Sequence, residues 1–297
     1  MEKTDKRQKR RWGDRRDGRR VKAPGLQTIM SYLMPRRTDC EVYLNETIDA
    51  TELMAYLERK NAEHPEYKTT IFHCFITALA RMVRERPKMN RFIQGWRMYE
   101  RDEISLSFVA KRRFTDGADE ALMVLVPRDT DTVDDVSRKI IGDVRETRKS
   151  ETSTGGVDAI MDFLARLPRL LLALIVRIVR WLDFWGINPS FLTEGDPNYT
   201  TVFTSNLGSI KCPAVYHHLN NYGTNSIMIT IGTLHKEELL MPDGTKQIRD
   251  VVAVGATLDE RIADGFYFGR SLRLVKHIFA HPELLDRPLG EDSGFEY

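Results

Sequence analysis

The stretch Leu258-Asp259-Glu260-Arg261-Ile262-Ala263-Asp264-Gly265 gathers three carboxylates and a guanidinium within eight residues. It follows an apolar, β-branched run from Val251 to Val254. It precedes an amphipathic helix in which Phe268, Leu272, Val275 and Phe279 recur at three and four residues and share one face. A strand-to-helix junction of this composition puts proton-accepting groups at the end of a sheet, where sites in α/β folds collect. The plainer reading is a capped helix start, with Asp264 as N-cap and Gly265 in a tight turn. A second polar cluster, Tyr216-His217-His218-Leu219-Asn220-Asn221, reads as a loop. Adjacent histidines point apart and no third ligand is evident, so no metal site is expected there. Gly-rich phosphate-binding loops are absent.

These groups need a scaffold, and 297 residues allow one large domain or two small ones. A hydrophobic content of 41% with 30% charged residues is enough for a sizeable core in a globular protein. Residues 1–22 hold eleven Lys/Arg against four Asp/Glu, so the net +2 of the chain divides into +7 for this arm and −5 for the remainder. Residues 1–25 are expected to be a disordered basic arm and 26–290 the folded domain. Such an arm suits a solvated tail or an anionic lipid surface. Nucleic acid is not expected, because only Trp12 interleaves the arm's charges. Cys40, Cys74 and Cys212 are odd in number and widely spaced. With no signal-peptide pattern, they indicate a cytoplasmic protein.

Cys40 to Leu44 reads as a strand. Asp49 then caps a helix to about Ala62 with Leu53, Met54 and Leu57 inward. Ile71 to Arg86 is a second amphipathic helix, stopped by Pro87. Ile104 to Ala110 and Ala121 to Val126 read as strands joined by a hairpin-like turn at Asp116-Gly117. Thr132-x-x-Asp135 resembles a capping box and opens a helix to about Lys149. Residues 157–185 read as one long helix. Asp158, Asp162, Arg166, Arg169, Ala173, Arg177, Arg180 and Asp183 form one stripe on it, and nearly everything else is apolar. The uninterrupted run Leu170–Val176 is too short to span a bilayer. Three roles fit: a core or subunit-interface helix, a helix lying in an anionic membrane interface with the basic arm as its second anchor, or a helix docked in a protein partner's groove.

The Leu258–Gly265 stretch resembles the DHR-x-x-DG signature of the catalytic domain of 2-oxoacid dehydrogenase acyltransferases. Chloramphenicol acetyltransferases share that fold and have a related His-x-x-x-Asp-Gly. Asp259, Arg261, Asp264 and Gly265 match, but the histidine position holds Glu260. Val124-Leu125-Val126-Pro127-Arg128-Asp129 resembles the family's "VPVI-RD" element, Phe203-Thr204-Ser205-Asn206-Leu207-Gly208 its "FTISNLG", and Ser226 to Gly232 its "VAILGVG" strand. The resemblance covers roughly residues 28–285, with no lipoyl or subunit-binding segment expected before it. It implies an α/β fold, a chloramphenicol acetyltransferase-like mixed sheet with flanking helices. Met34 to Tyr43 resembles the "W-V-R-R-E-H-F-E-F-Y" start of the acetyltransferases, whose arginine pairs with the motif aspartate. By that likeness Arg36 or Arg37 holds Asp264. A surface arginine pair is the alternative.

In this family a histidine deprotonates a thiol, of CoA or dihydrolipoamide, and the thiolate attacks an acyl carbonyl. A Ser or Thr hydroxyl donates to the oxyanion. The resemblance therefore implies a CoA thioester or lipoyl group as substrate and no bound cofactor. It names Ser205 as donor, Thr204 as second choice, and Asn206 as a supporting ligand group. It also implies a homotrimer in which Glu260 of one chain faces Ser205 of its neighbour. A carboxylate, which ordinarily titrates at about 4.3, is a poor base for a thiol that titrates at about 8.5. Three outcomes are open: Glu260 is a base retuned by burial, His217 or His218 replaces the missing histidine, or the reaction has been dropped. The last is a different class of function, a non-catalytic trimeric scaffold bound to a membrane surface or protein partner.

Overall fold

The alternating and helical periodicities become nine strands and six fully described α-helices among the residues described by the computed structural model: 14–63, 66–111, 120–149, 163–188, 193 and 195–296. A six-stranded mixed sheet has the order β2-β9-β8-β7-β5-β6. Its strands are β2 (Glu41–Asp49), β5 (Leu106–Lys111), β6 (Glu120–Leu125), β7 (Val202–Asn206), β8 (Ile227–Leu240) and β9 (Lys246–Asp259). β7 runs parallel to both β5 and β8, and the other pairings are antiparallel. A small antiparallel sheet, β1-β4-β3, combines Gly18–Arg20, Arg97–Arg101 and Arg91–Gln94.

The core lies between the large sheet and helices α2 (Thr51–Glu63), α3 (Ile71–Glu85), α4 (Val133–Lys149) and α6 (Gly265–Ala280). α3 is its centre, with every residue from His73 to Val83 buried. Phe75 meets Phe279 of α6 edge-on at 4.5 Å. Burying such a side chain contributes about 1.5–3 kcal/mol, so the apolar faces of α3 and α6 hold the junction before α6 in place. Thr70 caps α3 and Asp264 caps α6 through the amide of Tyr267, at 2.8 Å. The expected cap at Asp264 is thus formed. Gly265 opens the helix with no left-handed backbone, so no tight turn requires glycine there.

Two expectations fail. Residues 14–25 are not a disordered arm. Arg15 is fully buried, bonded to Asp17 (2.7 Å) and Asp183 (2.6 Å), and β1 pairs with β4. An arginine with two carboxylate partners is stable inside, which composition averaged over the arm conceals. Residues 1–13 lie outside the described residues. The 157–185 helix is also interrupted: residues 163–165 are helical, and a turn at 166–168 separates them from the next helix. α5 spans Arg169–Phe184 and begins behind Pro168, which lacks an N–H and disfavours helix before it. Residues 157–162 and the Asp116-Gly117 turn lie outside the described residues. α5 is not a core helix either, since Asp183 is its one buried residue. Leu170, Leu174, Ile178 and Trp181 are exposed, as are Leu26, Ile29 and Leu33 of α1 (Gly25–Leu33).

Candidate functional site

The junction after β9 is braced from within. Register pairs Asp259 with Glu41, and the Glu260 amide donates to Cys40 O at 3.0 Å. Arg261 returns a fork to Asp259, Nε to Oδ1 at 2.8 Å and Nη2 to Oδ2 at 2.6 Å, and Nη1 donates to Met34 O at 2.9 Å. Both side chains are at most 1% exposed. A buried bidentate pair of this kind fixes geometry more than it adds stability. It pins the residue between its members, Glu260, at the sheet's end. Glu260 itself is half-buried, and its carboxylate has no hydrogen bond or ion pair among the described residues.

Neither Arg36 nor Arg37 holds Asp264, which corrects the expected pairing. Asp264 is exposed and engaged as the α6 cap. Arg36 is exposed on the turn before β2. Arg37 is buried and donates to Ile93 O (3.0 Å), Gln94 Oε1 (3.2 Å) and Asn220 O (3.3 Å). The buried aspartate of the motif is Asp259, and its partner is two residues away. Burial pushes the neighbouring Cys40 thiol up to about 11, which removes it as a nucleophile.

Ser205 and His217 line one cavity of about 590 Å³, together with Asn206, Asn220, His73 and Phe203. Ser205 reaches it because β7 alternates its faces. Thr204 therefore points to the opposite side, fully buried, its hydroxyl without a partner, so it is not an alternative donor here. The Ser205 hydroxyl makes no hydrogen bond among the described residues. Glu260 does not line this cavity, and neither does His218.

The loop carrying His217 is laid on the sheet by two glycines. A Cβ on Gly232 of β8 would sit 2.6 Å from Ala214 N, and one on Gly255 of β9 would collide with the Val215 carbonyl. The Thr230 hydroxyl also donates to Val215 O, and Glu41 accepts from the Leu219 amide at 2.5 Å. His217 Nδ1 lies 2.8 Å from His218 O. A carbonyl only accepts, so the neutral ring carries its proton on Nδ1 and presents a free lone pair at Nε2. His218 uses its own Nδ1 on Leu219 O at 3.1 Å.

His73 was not legible as a site residue, although Thr70-x-x-His73 has cap spacing. Its Nδ1 accepts the Thr70 amide at 3.3 Å, so in the neutral ring Nε2 carries the proton. Burial pulls its pKa down to about 4. A histidine depressed in the folded state contributes stability that is fully present above its unfolded pKa of about 6.5 and is lost as pH falls through the folded value. Chemical denaturation from pH 7 to pH 4 is therefore expected to lose up to about 3 kcal/mol that a His73→Gln protein does not lose.

The family described as 2-oxoacid dehydrogenases acyltransferase (catalytic domain) matches residues 16–146, a span that stops before Ser205 and Glu260. The lipoamide acyltransferase component of the branched-chain alpha-keto acid dehydrogenase complex of Bacillus subtilis (strain 168) is 20% identical over 236 residues, 78% of this chain and 44% of its own. The chain thus spans less than half the length of that curated relative. A probable dihydrolipoamide acetyltransferase from Listeria monocytogenes superimposes with a TM-score of 0.58 at 18% identity, covering 93% of this chain and 97% of its own. The dihydrolipoamide acetyltransferase of Azotobacter vinelandii does so at 0.53 and 15%, covering 89% and 92%. That enzyme has been investigated for the role of a serine, a histidine and an asparagine in its mechanism, the last two four residues apart. The expected resemblance to the acyltransferase catalytic domain is borne out, and so is the fold, a mixed sheet with flanking helices of the acyltransferase-core type.

Proposed function

We propose that this chain, built on the fold of the 2-oxoacid dehydrogenase acyltransferase core, moves acyl groups between thiols, with the proton-accepting role displaced from the motif position to His217. The observation that carries this reading is the shared cavity: Ser205 and His217 both line it within one chain. CoA or a lipoyl group is the thiol carrier. The acceptor thiol gives its proton to His217 Nε2, and the thiolate forms a C–S bond to the thioester carbonyl. The Ser205 hydroxyl donates to the oxyanion. The donor C–S bond then breaks, and the leaving thiolate recovers the proton. His73 Nε2–H adds a second, neutral donor on the same wall. Release of free CoA from acetyl-CoA in the presence of dihydrolipoamide tests this. Loss of turnover in Ser205→Ala and His217→Ala supports it, and loss only in Glu260→Gln places the chemistry at a subunit interface instead.

A second reading, a trimeric scaffold on an anionic membrane, is favoured by α5 and α1. Their exposed apolar residues are joined by the rings of Tyr32, Trp96 and Phe184, at 5.0 and 4.8 Å. The charges that α5 leaves exposed are arginines, since Asp183 is buried against Arg15. Among the described residues no helix is long and apolar enough to cross a membrane, so attachment would be in the interface plane. Sedimentation reads both halves. The protein alone is expected to run as a trimer. Its co-sedimentation with vesicles is expected to need anionic lipid and to weaken at high salt. A monomer that pellets equally with neutral vesicles would refute this reading.

A further inference from the structure

We propose that the cavity at the foot of α5, bounded by the 36–39 turn, the β3–β4 turn and the 221–223 loop, binds a phosphate-class oxyanion. The cavity measures about 300 Å³ and is lined by Arg36, Arg37, Arg180 and Arg261, with Trp96 and Phe184 as its apolar wall. It is separate from the Ser205 cavity: Asn220 lines one and Asn221 the other.

The positive charge in this cavity is only partly compensated. Arg37 is 4% exposed, yet its bonds go to two backbone carbonyls and one side-chain amide, none of them a carboxylate. Its Nε is buried with no acceptor. A buried guanidinium normally has a charged partner, because removing it from water without one costs several kcal/mol. Burial brings its pKa down to about 10, against the pull of the Asp259 and Asp183 carboxylates. Asp183 also lines the cavity, but its carboxylate already accepts from Arg15 at 2.6 Å and Gln94 Nε2 at 2.7 Å. Arg261 is neutralised by Asp259. Asp39 binds the Arg36 amide from outside the cavity. Three cations, Arg36, Arg37 and Arg180, are left facing one space.

A dianion with several acceptor oxygens matches forked guanidinium donors better than a carboxylate, which offers two oxygens and one charge. Two sources share this chemistry: a soluble phosphate ester, or the phosphomonoester headgroup of a lipid lying against α5. Because Arg180 belongs to α5 and Arg37 to the body, an anion here also ties the foot of that helix down.

Isothermal titration of the full chain with inorganic phosphate and with pyrophosphate, at ionic strength fixed with chloride, tests the site. Saturable one-to-one binding is expected, weakened about tenfold or more in Arg180→Ala and in Arg36→Ala. Both residues are exposed, so folding should survive, and thermal melting checks this. Arg37→Gln should abolish binding if it folds. Acyl transfer should not change in Arg180→Ala, which separates this site from the Ser205 chemistry. If phosphatidate vesicles displace bound phosphate and phosphatidylcholine vesicles do not, the lipid headgroup is the source. If neither displaces it, a soluble ester is. No saturable binding of either anion at millimolar concentration, or binding unchanged in both exposed-arginine variants, overturns the proposal.

Discussion

His217→Ala is expected to lower acyl transfer from acetyl-CoA to dihydrolipoamide by about 10²–10⁴-fold, and Ser205→Ala by about 10²–10³-fold. A thiol must lose its proton before it attacks, and a base with a free lone pair is worth that factor. An oxyanion donor is worth about 2.7–4 kcal/mol, because it is positioned in advance for charge that develops only in the transition state. The two replacements act on one step, so the double variant should fall little below the weaker single one. Glu260→Gln is expected to change the rate little, since its carboxylate stands outside the cavity that holds Ser205. Measuring free CoA release with Ellman-type thiol detection before adding acceptor removes background hydrolysis from all four rates.

The largest stability effect is expected at Asp259→Ala. Asp259 is fully buried and its partner Arg261 is 1% exposed. Removing the carboxylate leaves a buried guanidinium with one backbone carbonyl as acceptor, at a cost of about 3–5 kcal/mol. For a chain of this size that corresponds to a fall in Tm of roughly 5–8 °C. Asp264→Ala removes only an exposed helix cap and should cost about 0.5–2 kcal/mol. Differential scanning of the two proteins separates these magnitudes. An equal loss in both, or a larger one at Asp264, would return the supporting role to the position where the family likeness had put it.

The elements that bury an apolar face were legible in the sequence. β2, α2, α3, β5, β6 and α4 fall within a few residues of the expected ranges, because a period of 2 or 3.6 records which side meets the core. β3 and β4 were not legible. Their strands Arg91–Gln94 and Arg97–Arg101 carry arginines at positions that the fold buries or pairs, and Arg101 donates to the Thr224 and Tyr199 carbonyls at 2.7 Å. Buried arginines hide a strand from any hydropathy pattern. β1 was hidden for another reason: its exposed Arg19 and Arg20 read as part of the basic arm. The site was half legible. Motif likeness pointed to Ser205 and the Asp259–Gly265 junction, and position among the histidines pointed to His217 and His218 together, of which only His217 lines the Ser205 cavity. Thr204 and Ser205 are told apart only by which face of β7 they occupy. The partner of Arg261 is a matter of side-chain direction, which spacing alone does not record. Arg36 and Arg37 were singled out for a pairing they do not make, and the cavity they line instead was invisible in one dimension.

That His217 is the proton acceptor is tested most directly by chemical rescue. The His217→Ala protein is assayed for acetyl transfer to dihydrolipoamide while free imidazole is titrated in. The rate should rise with imidazole and saturate, because the vacated space lies in the Ser205 cavity and imidazole returns a base to it. No rescue is expected in the Ser205→Ala protein, where the oxyanion donor is the missing part. Wild-type turnover in His217→Ala without imidazole, with turnover lost instead in Glu260→Gln, would contradict a base at His217 and place it at Glu260 facing a neighbouring chain.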